Sequence, residues 1–161
     1  MDFFLYLQMQ KILFLLLSVF LFTSACKKKK DCPENTKQAP QSEITALKDY
    51  LDANSIYYRA DSRGFFYVIT DSTNGSKPST CDNITISYKG SLLNGTVFDQ
   101  NNSATFTLSN LIAGWQQCLP LIGIGGKITV YIPPYLGYGS SATGSIPANS
   151  NLKFEIGLLS F

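Results

Sequence analysis

Ile84-Thr-Ile-Ser-Tyr88-Lys-Gly90-Ser-Leu-Leu-Asn94-Gly95-Thr-Val-Phe98-Asp99 is the stretch on which the fold turns. Its first residues alternate strictly, so Ile84, Ile86 and Tyr88 share one strand face while Thr85, Ser87 and Lys89 take the other. Tyr88 therefore points inward. Asn94-Gly95 between two strand-like runs predicts a tight hairpin, because these residue types enter the left-handed backbone region at little cost. Thr96 to Phe98 then returns antiparallel and delivers Phe98 and Asp99 to a sheet edge.

Working outward, Phe65-Phe-Tyr-Val-Ile-Thr70 is aromatic and β-branched and reads as a strand, followed by a polar, Gly- and Pro-bearing loop from Asp71 to Thr80. Leu111 to about Leu119 suits a short helix around Trp115, ended near Pro120. Lys127 to Ile132 is a strand halted by Pro133-Pro134. Leu152 to Leu159 is a last alternating strand with Leu152, Phe154, Ile156 and Leu158 on one face. Ahead of all these, Ser42 is placed to cap a helix running through about Asn54, with Glu43 in its first turn and Ile44, Leu47 and Leu51 at helical spacing. That helix packs beside the main domain, since Lys48, Asp49 and Asp52 give it no basic, membrane-seeking face. The fold class is α+β: a twisted antiparallel sheet wrapped around one short helix, with an N-terminal accessory helix.

A chain of 161 residues has room for one globular domain plus accessories. The formal net charge is +2, but Lys27 to Lys30 form a single basic block. From Phe65 to Phe161 four lysines (77, 89, 127, 153) balance four acids (Asp71, Asp82, Asp99, Glu155). Such a neutral domain has no electrostatic footprint for nucleic acid. The chain also has no histidine, which excludes His-dependent triads, His-ligated zinc and imidazole general-base schemes.

Lys11 precedes an apolar run from Ile12 to Leu17, then Val19 to Phe22, then Thr23-Ser24-Ala25-Cys26 and an abrupt change to lysines. Residues 1–25 read as a signal peptide with a cysteine at its cleavage point; the run is short for a spanning helix, the alternative being an uncleaved single-span anchor. The pattern resembles a bacterial lipoprotein signal, which implies acylation of Cys26. Thr23 departs from that pattern, which prefers leucine there. Residues 26–42, polar with Pro33 and Pro40, read as the attachment cysteine and a flexible tether, and residues 43–60 as the accessory-helix region. Either reading of the signal holds the domain at a membrane from outside the cytoplasm. With Cys26 acylated, Cys32, Cys81 and Cys118 remain, and at most one bridge can form among three possible pairs. Cys81 and Cys118 read equally well as small buried apolar side chains.

At this point residues 64–161 resemble an FKBP-type peptidyl-prolyl cis-trans isomerase domain. The motifs that carry the resemblance run in order: Ile86-Ser-Tyr88-Lys-Gly90, Gly95-Thr-Val-Phe98-Asp99, Leu111-Ile112-Ala-Gly114-Trp115, Gly125-Gly-Lys127, Ile132-Pro-Pro-Tyr135, Gly137-Tyr138-Gly139, Ile146-Pro147 and Leu152-Lys-Phe154. The resemblance implies a pocket floored by Trp115 and walled by Tyr88, Phe98, Leu111, Ile112, Ile146 and Phe154, enclosing a proline ring. The Ile112 N–H and the Tyr138 hydroxyl would donate to the bound peptide's carbonyls. Asp99 would sit at the rim, pairing with Tyr88 or polarising the substrate. Ala104 stands where the family usually has an aromatic wall residue, and Ser145 precedes Ile146 in a loop about one residue shorter than usual.

The implied partners are proline-containing polypeptides and, through the lipid, a membrane; the implied state is a monomer needing no cofactor or metal. Rotation about an X-Pro bond suits a site without imidazole, because its barrier of roughly 18–20 kcal/mol arises from amide resonance and not from a bond that must break. The alternatives are a peptide-holding module with little turnover, which Ala104 favours, and a ligand-capturing surface lipoprotein. Taken singly, Phe106 and Tyr131 read as core aromatics, Asp99 as a turn or cap residue, and Gly90, Gly95, Gly125, Gly126 and Gly139 as turn glycines requiring positive φ.

Overall fold

The computed structural model describes residues 32–161; the signal-peptide reading and Cys26 fall outside the described residues. Six antiparallel strands form one sheet: β1 (Arg59–Ala60), β2 (Phe66–Asp71), β3 (Asn83–Leu92), β4 (Val97–Thr107), β5 (Lys127–Ile132) and β6 (Leu152–Ser160), in the order β1-β2-β5-β6-β3-β4. Helix α1 (Gln41–Ala53) precedes the sheet and the short helix α2 (Ala113–Cys118) interrupts it.

The β3–β4 hairpin turns where Asn94-Gly95 predicts. Gly95 adopts φ +89°, its N–H donates to the Leu92 carbonyl, and the Leu92 N–H donates to the Thr96 carbonyl. Since β4 lies at one end of the strand order, Phe98 and Asp99 are delivered to an edge. The alternating residues also sort as their period requires: Ile84, Ile86, Leu152, Phe154, Ile156 and Leu158 are all buried, and Phe154 and Trp115 of α2 belong to the same core. One face of the sheet thus closes over α2.

A second, smaller cluster lies on the other face, where Leu47 and Leu51 of α1 pack against Phe66 of β2 and Tyr131 of β5. The helix is shorter at its C-terminal side than residues 43–60. It ends at Ala53, Ser55 takes φ 54°, and the chain extends into β1. Ser42 is not its cap: Pro40 holds that position, without a side-chain hydrogen bond, and Ser42 lies inside the helix.

The tether reading also changes from Cys32 onward. Cys32 is bridged to Cys81, the Thr80 hydroxyl donates to the Pro33 carbonyl, and the Gln117 side-chain amide donates to the carbonyls of Asn35 and Lys37. Ala39 is buried. Residues 32–39 are therefore part of the domain. A bridge spanning 49 residues removes about 2–4 kcal/mol worth of unfolded-chain freedom. Cys81 is thus no free apolar side chain, whereas Cys118 is buried and unbridged, and burial pushes its thiol up strongly.

Candidate functional site: an aromatic hollow on the inner face of the sheet

Strands β3, β4 and β6, helix α2 and the loops beside them meet around a hollow of about 250 Å³ lined by Tyr88, Phe98, Asp99, Phe106, Asn110, Leu111, Ile112, Trp115, Tyr138 and Phe154. Its rings meet edge to face. Trp115 lies 4.9 Å from Phe154 at 82° and 5.2 Å from Tyr88 at 73°, and Phe98 lies 5.5 Å from Phe154 at 84°, centroid to centroid. These geometries suit the ring quadrupoles and fix the walls against one another. Gly90 makes the arrangement possible: a Cβ there would fall 2.5 Å from Phe98 Cε2 and 2.7 Å from Phe154 Cε1. Its role is steric. Gly90 and Gly126 are not positive-φ glycines, whereas Gly95, Gly125 and Gly139 are.

The polar groups stand at the rim. Asp99 sits within β4 opposite Gly90, not in a turn, and accepts a 2.7 Å hydrogen bond from the Tyr88 hydroxyl. Burial first, then this bond and the Asp99 charge, push the Tyr88 hydroxyl up to about 12. Burial and the same carboxylate raise Tyr138 as well. Both phenols remain neutral donors at physiological pH. Among the described residues the Tyr138 hydroxyl and the Ile112 N–H have no hydrogen-bond partner, so both are available to a ligand. Ile112 owes this to its place at the cap of α2, where the first N–H groups of a helix have no internal acceptor. Among the described residues no three metal-capable side chains converge.

Residues 74–159 match the family model described as FKBP-type peptidyl-prolyl cis-trans isomerase, which is more than half of the chain. The chain belongs to this family. It is 47% identical over 103 residues to the FKBP-type peptidyl-prolyl cis-trans isomerase FkpA of Buchnera aphidicola subsp. Schizaphis graminum, covering 61% of this chain and 41% of the relative. It is 40% identical over 102 residues to the outer membrane protein MIP of Legionella longbeachae, covering 60% and 44%. The crystal structure of FkpA from Escherichia coli superposes with a TM-score of 0.67 at 32% identity, covering 74% of this chain and 59% of that one. The chain spans less than half the length of either curated relative.

Within this FKBP-type domain, Tyr88, Phe98, Asp99, Leu111, Ile112, Trp115, Tyr138 and Phe154 come together around one hollow, as the motif order implies. Two residues do not. Ile146 is buried in the main core, where a reciprocal pair of hydrogen bonds with Thr143 closes its loop, and it does not line the hollow. Ala104 pairs with Ile86 along β4 and also stays out of the lining. Phe106, which reads from sequence as core, and Asn110 line it instead. The signal for Phe106 was its parity with Ala104 on β4. Both residues pair on the same side of the register shift between Ile86 and Tyr88 and so share a face of β4; Phe106 and not Ala104 lines the hollow, and no pattern in the sequence announces which of the two does.

Proposed function

We propose that this chain is a peptidyl-prolyl cis-trans isomerase that turns X-Pro bonds of exported or periplasmic proteins in the hollow over Trp115. The observation that carries this reading is the pairing of a ring-lined floor with two unengaged donors at its rim, the Ile112 N–H and the Tyr138 hydroxyl. In a planar amide the nitrogen lone pair is shared with the carbonyl; at the 90° transition state it is localised and the carbonyl is less polar. Water favours the polar planar form, so an apolar site lowers the barrier. Ile112 and Tyr138 hold the flanking carbonyls while the bond turns, and Asp99 orients Tyr88 at the rim. Lowering the barrier by about 7 to 8 kcal/mol corresponds to roughly 10⁵ to 10⁶ in rate.

The setting is extracytoplasmic, with the chain a monomer anchored by lipid on Cys26. This is supported by the signal-like N-terminus, by the Cys32–Cys81 bridge, which suits an oxidising compartment, and by the name outer membrane protein carried by the Legionella relative. No helix of the described residues is long and apolar enough to cross a membrane.

The test is refolding of a proline-limited substrate by wild type, Trp115→Ala and Asp99→Ala. Acceleration by wild type that is lost in Trp115→Ala is expected. Equal refolding rates with and without wild type, beside retained peptide binding, would instead assign a peptide-holding module. Labelled palmitate should enter the wild-type protein in cells and not Cys26→Ser.

A further inference from the structure

We infer that helix α1, which lies outside the matched family region, is a strut that fixes the two loops leading to Tyr138 and to Phe98 and Asp99 of the hollow, with Glu43 and Tyr50 as positioning residues. The inference rests on the proposed isomerase reading for its kinetic consequence, not for its structural content.

Glu43 and Tyr50 are seven residues apart, two helical turns, so they share one side of α1 about 10 Å apart along its axis. Leu47 stands between them and is fully buried against the sheet, which anchors this side of the helix. At one end the Glu43 carboxylate accepts the Tyr135 N–H at 2.8 Å. At the other the Tyr50 hydroxyl donates to the Leu93 carbonyl at 2.8 Å. Each bond reaches a loop that leads directly into the site.

Tyr135 lies in the turn Pro134–Leu136, and the Gly137 and Gly139 N–H groups both return to the Pro134 carbonyl, so the segment up to Tyr138 behaves as one tight unit. Lys37 adds a cation over the Tyr135 ring, 4.1 Å from its centroid. Leu93 lies in the β3–β4 hairpin turn, a few residues before Phe98 and Asp99. Ile132, Leu152 and Leu92 stand in one row across β5, β6 and β3, so both loops leave the same end of the sheet. Within β5, β6 and β3 this end is set by the ladder, but the loops beyond it are not. A carboxylate–amide bond and a phenol–carbonyl bond from one rigid helix fix both of them. Displacement of a wall by an ångström is enough to cost catalysis without touching a residue of the hollow.

The experiment uses the full-length protein and four variants: Glu43→Ala, Glu43→Gln, Tyr50→Phe and the double Glu43→Ala/Tyr50→Phe. Kinetics on a prolyl tetrapeptide are paired with binding followed by the fluorescence of Trp115, the only tryptophan, and with amide exchange. The expected result for the double variant is a fall of about three- to tenfold in kcat/KM, expressed mainly in KM. Amides of Leu92, Gly95, Gly137 and Gly139 should exchange faster, with those of Ile156 and Leu158 unchanged. Glu43→Gln keeps an oxygen acceptor for Tyr135 and should behave as wild type. Unchanged exchange in both loops, equal acceleration in β6, or Glu43→Gln as impaired as Glu43→Ala would each overturn the strut. An inactive wild type would overturn the isomerase reading alone, and the exchange pattern would still decide the strut.

Discussion

Two hollows lie on opposite faces of the same strands. The inner one, about 250 Å³, is walled by Tyr88 of β3 and Phe154 of β6 over Trp115. The outer one is larger, about 520 Å³, and is lined by the residues between them: Ser87 and Lys89 of β3, Glu155 and Gly157 of β6, with Lys127 and Thr129 of β5. Size alone would choose the outer trough. Its lining is largely polar and charged side chains beside Gly157, and it presents no cluster of rings. The inner hollow offers ring faces and rim donors, which is what weakening an amide resonance requires. A period of two residues keeps these chemistries apart by one peptide unit.

Changes on the inner face should dominate. Trp115→Ala is expected to have the largest effect, costing about 3–5 kcal/mol of stability in urea unfolding and at least about tenfold in kcat/KM. A smaller loss from so buried a ring would mean that the floor is not shared by Tyr88 and Phe154. Next, Gly90→Ala drives a methyl into Phe98 and Phe154 and should cost about 1–3 kcal/mol, with peptide binding weakened in parallel. Wild-type peptide binding in that variant would remove the steric link between backbone and wall.

The Tyr88 hydroxyl supplies a subtler test. Its value in the folded protein is about 12 against an ordinary 10, so the unfolded chain loses this proton first. The stabilising contribution is complete below about pH 10 and declines as pH rises towards 12. Subtracting Tyr88→Phe unfolding data from wild type between pH 9 and 11 should give a difference that shrinks with pH; a constant difference would place Tyr88 in a less desolvated, unpaired setting. Activity should show no imidazole-like titration near neutrality, the chain having no histidine. Least of all, Lys89→Ala and Glu155→Ala on the outer face should change stability by no more than about 0.5 kcal/mol and leave kcat/KM alone. A tenfold loss there would erase the distinction between the two faces.

How far this contrast was legible in sequence depends on which residues had to cooperate. β5 appears over Lys127–Ile132, as read, because alternation within it and the prolines after it act locally. The hairpin at Asn94-Gly95 is similarly local. The end of α1 was not: propensity alone does not mark Ala53, and the extension into β1 depends on β2 being there to pair with it. The hold on residues 32–39 depends on Gln117, some eighty positions away, and the partner of Cys32 on which of two thiols, Cys81 or Cys118, folding brings near.

What the sequence determined by itself was β2, β3, β5, β6 and the first residues of β4, the facing of Tyr88 and Phe154, the edge placement of Phe98 and Asp99, and through its ordered motifs the family. These follow from backbone sterics and side-chain period, which act over a few residues. Only the tertiary structure decided that Phe106 rather than Ala104 or Ile146 closes the hollow, that Cys32 takes Cys81, and that α1 spans two loops of the site. Those outcomes depend on distances between segments far apart in the chain, quantities that no local pattern of residues encodes.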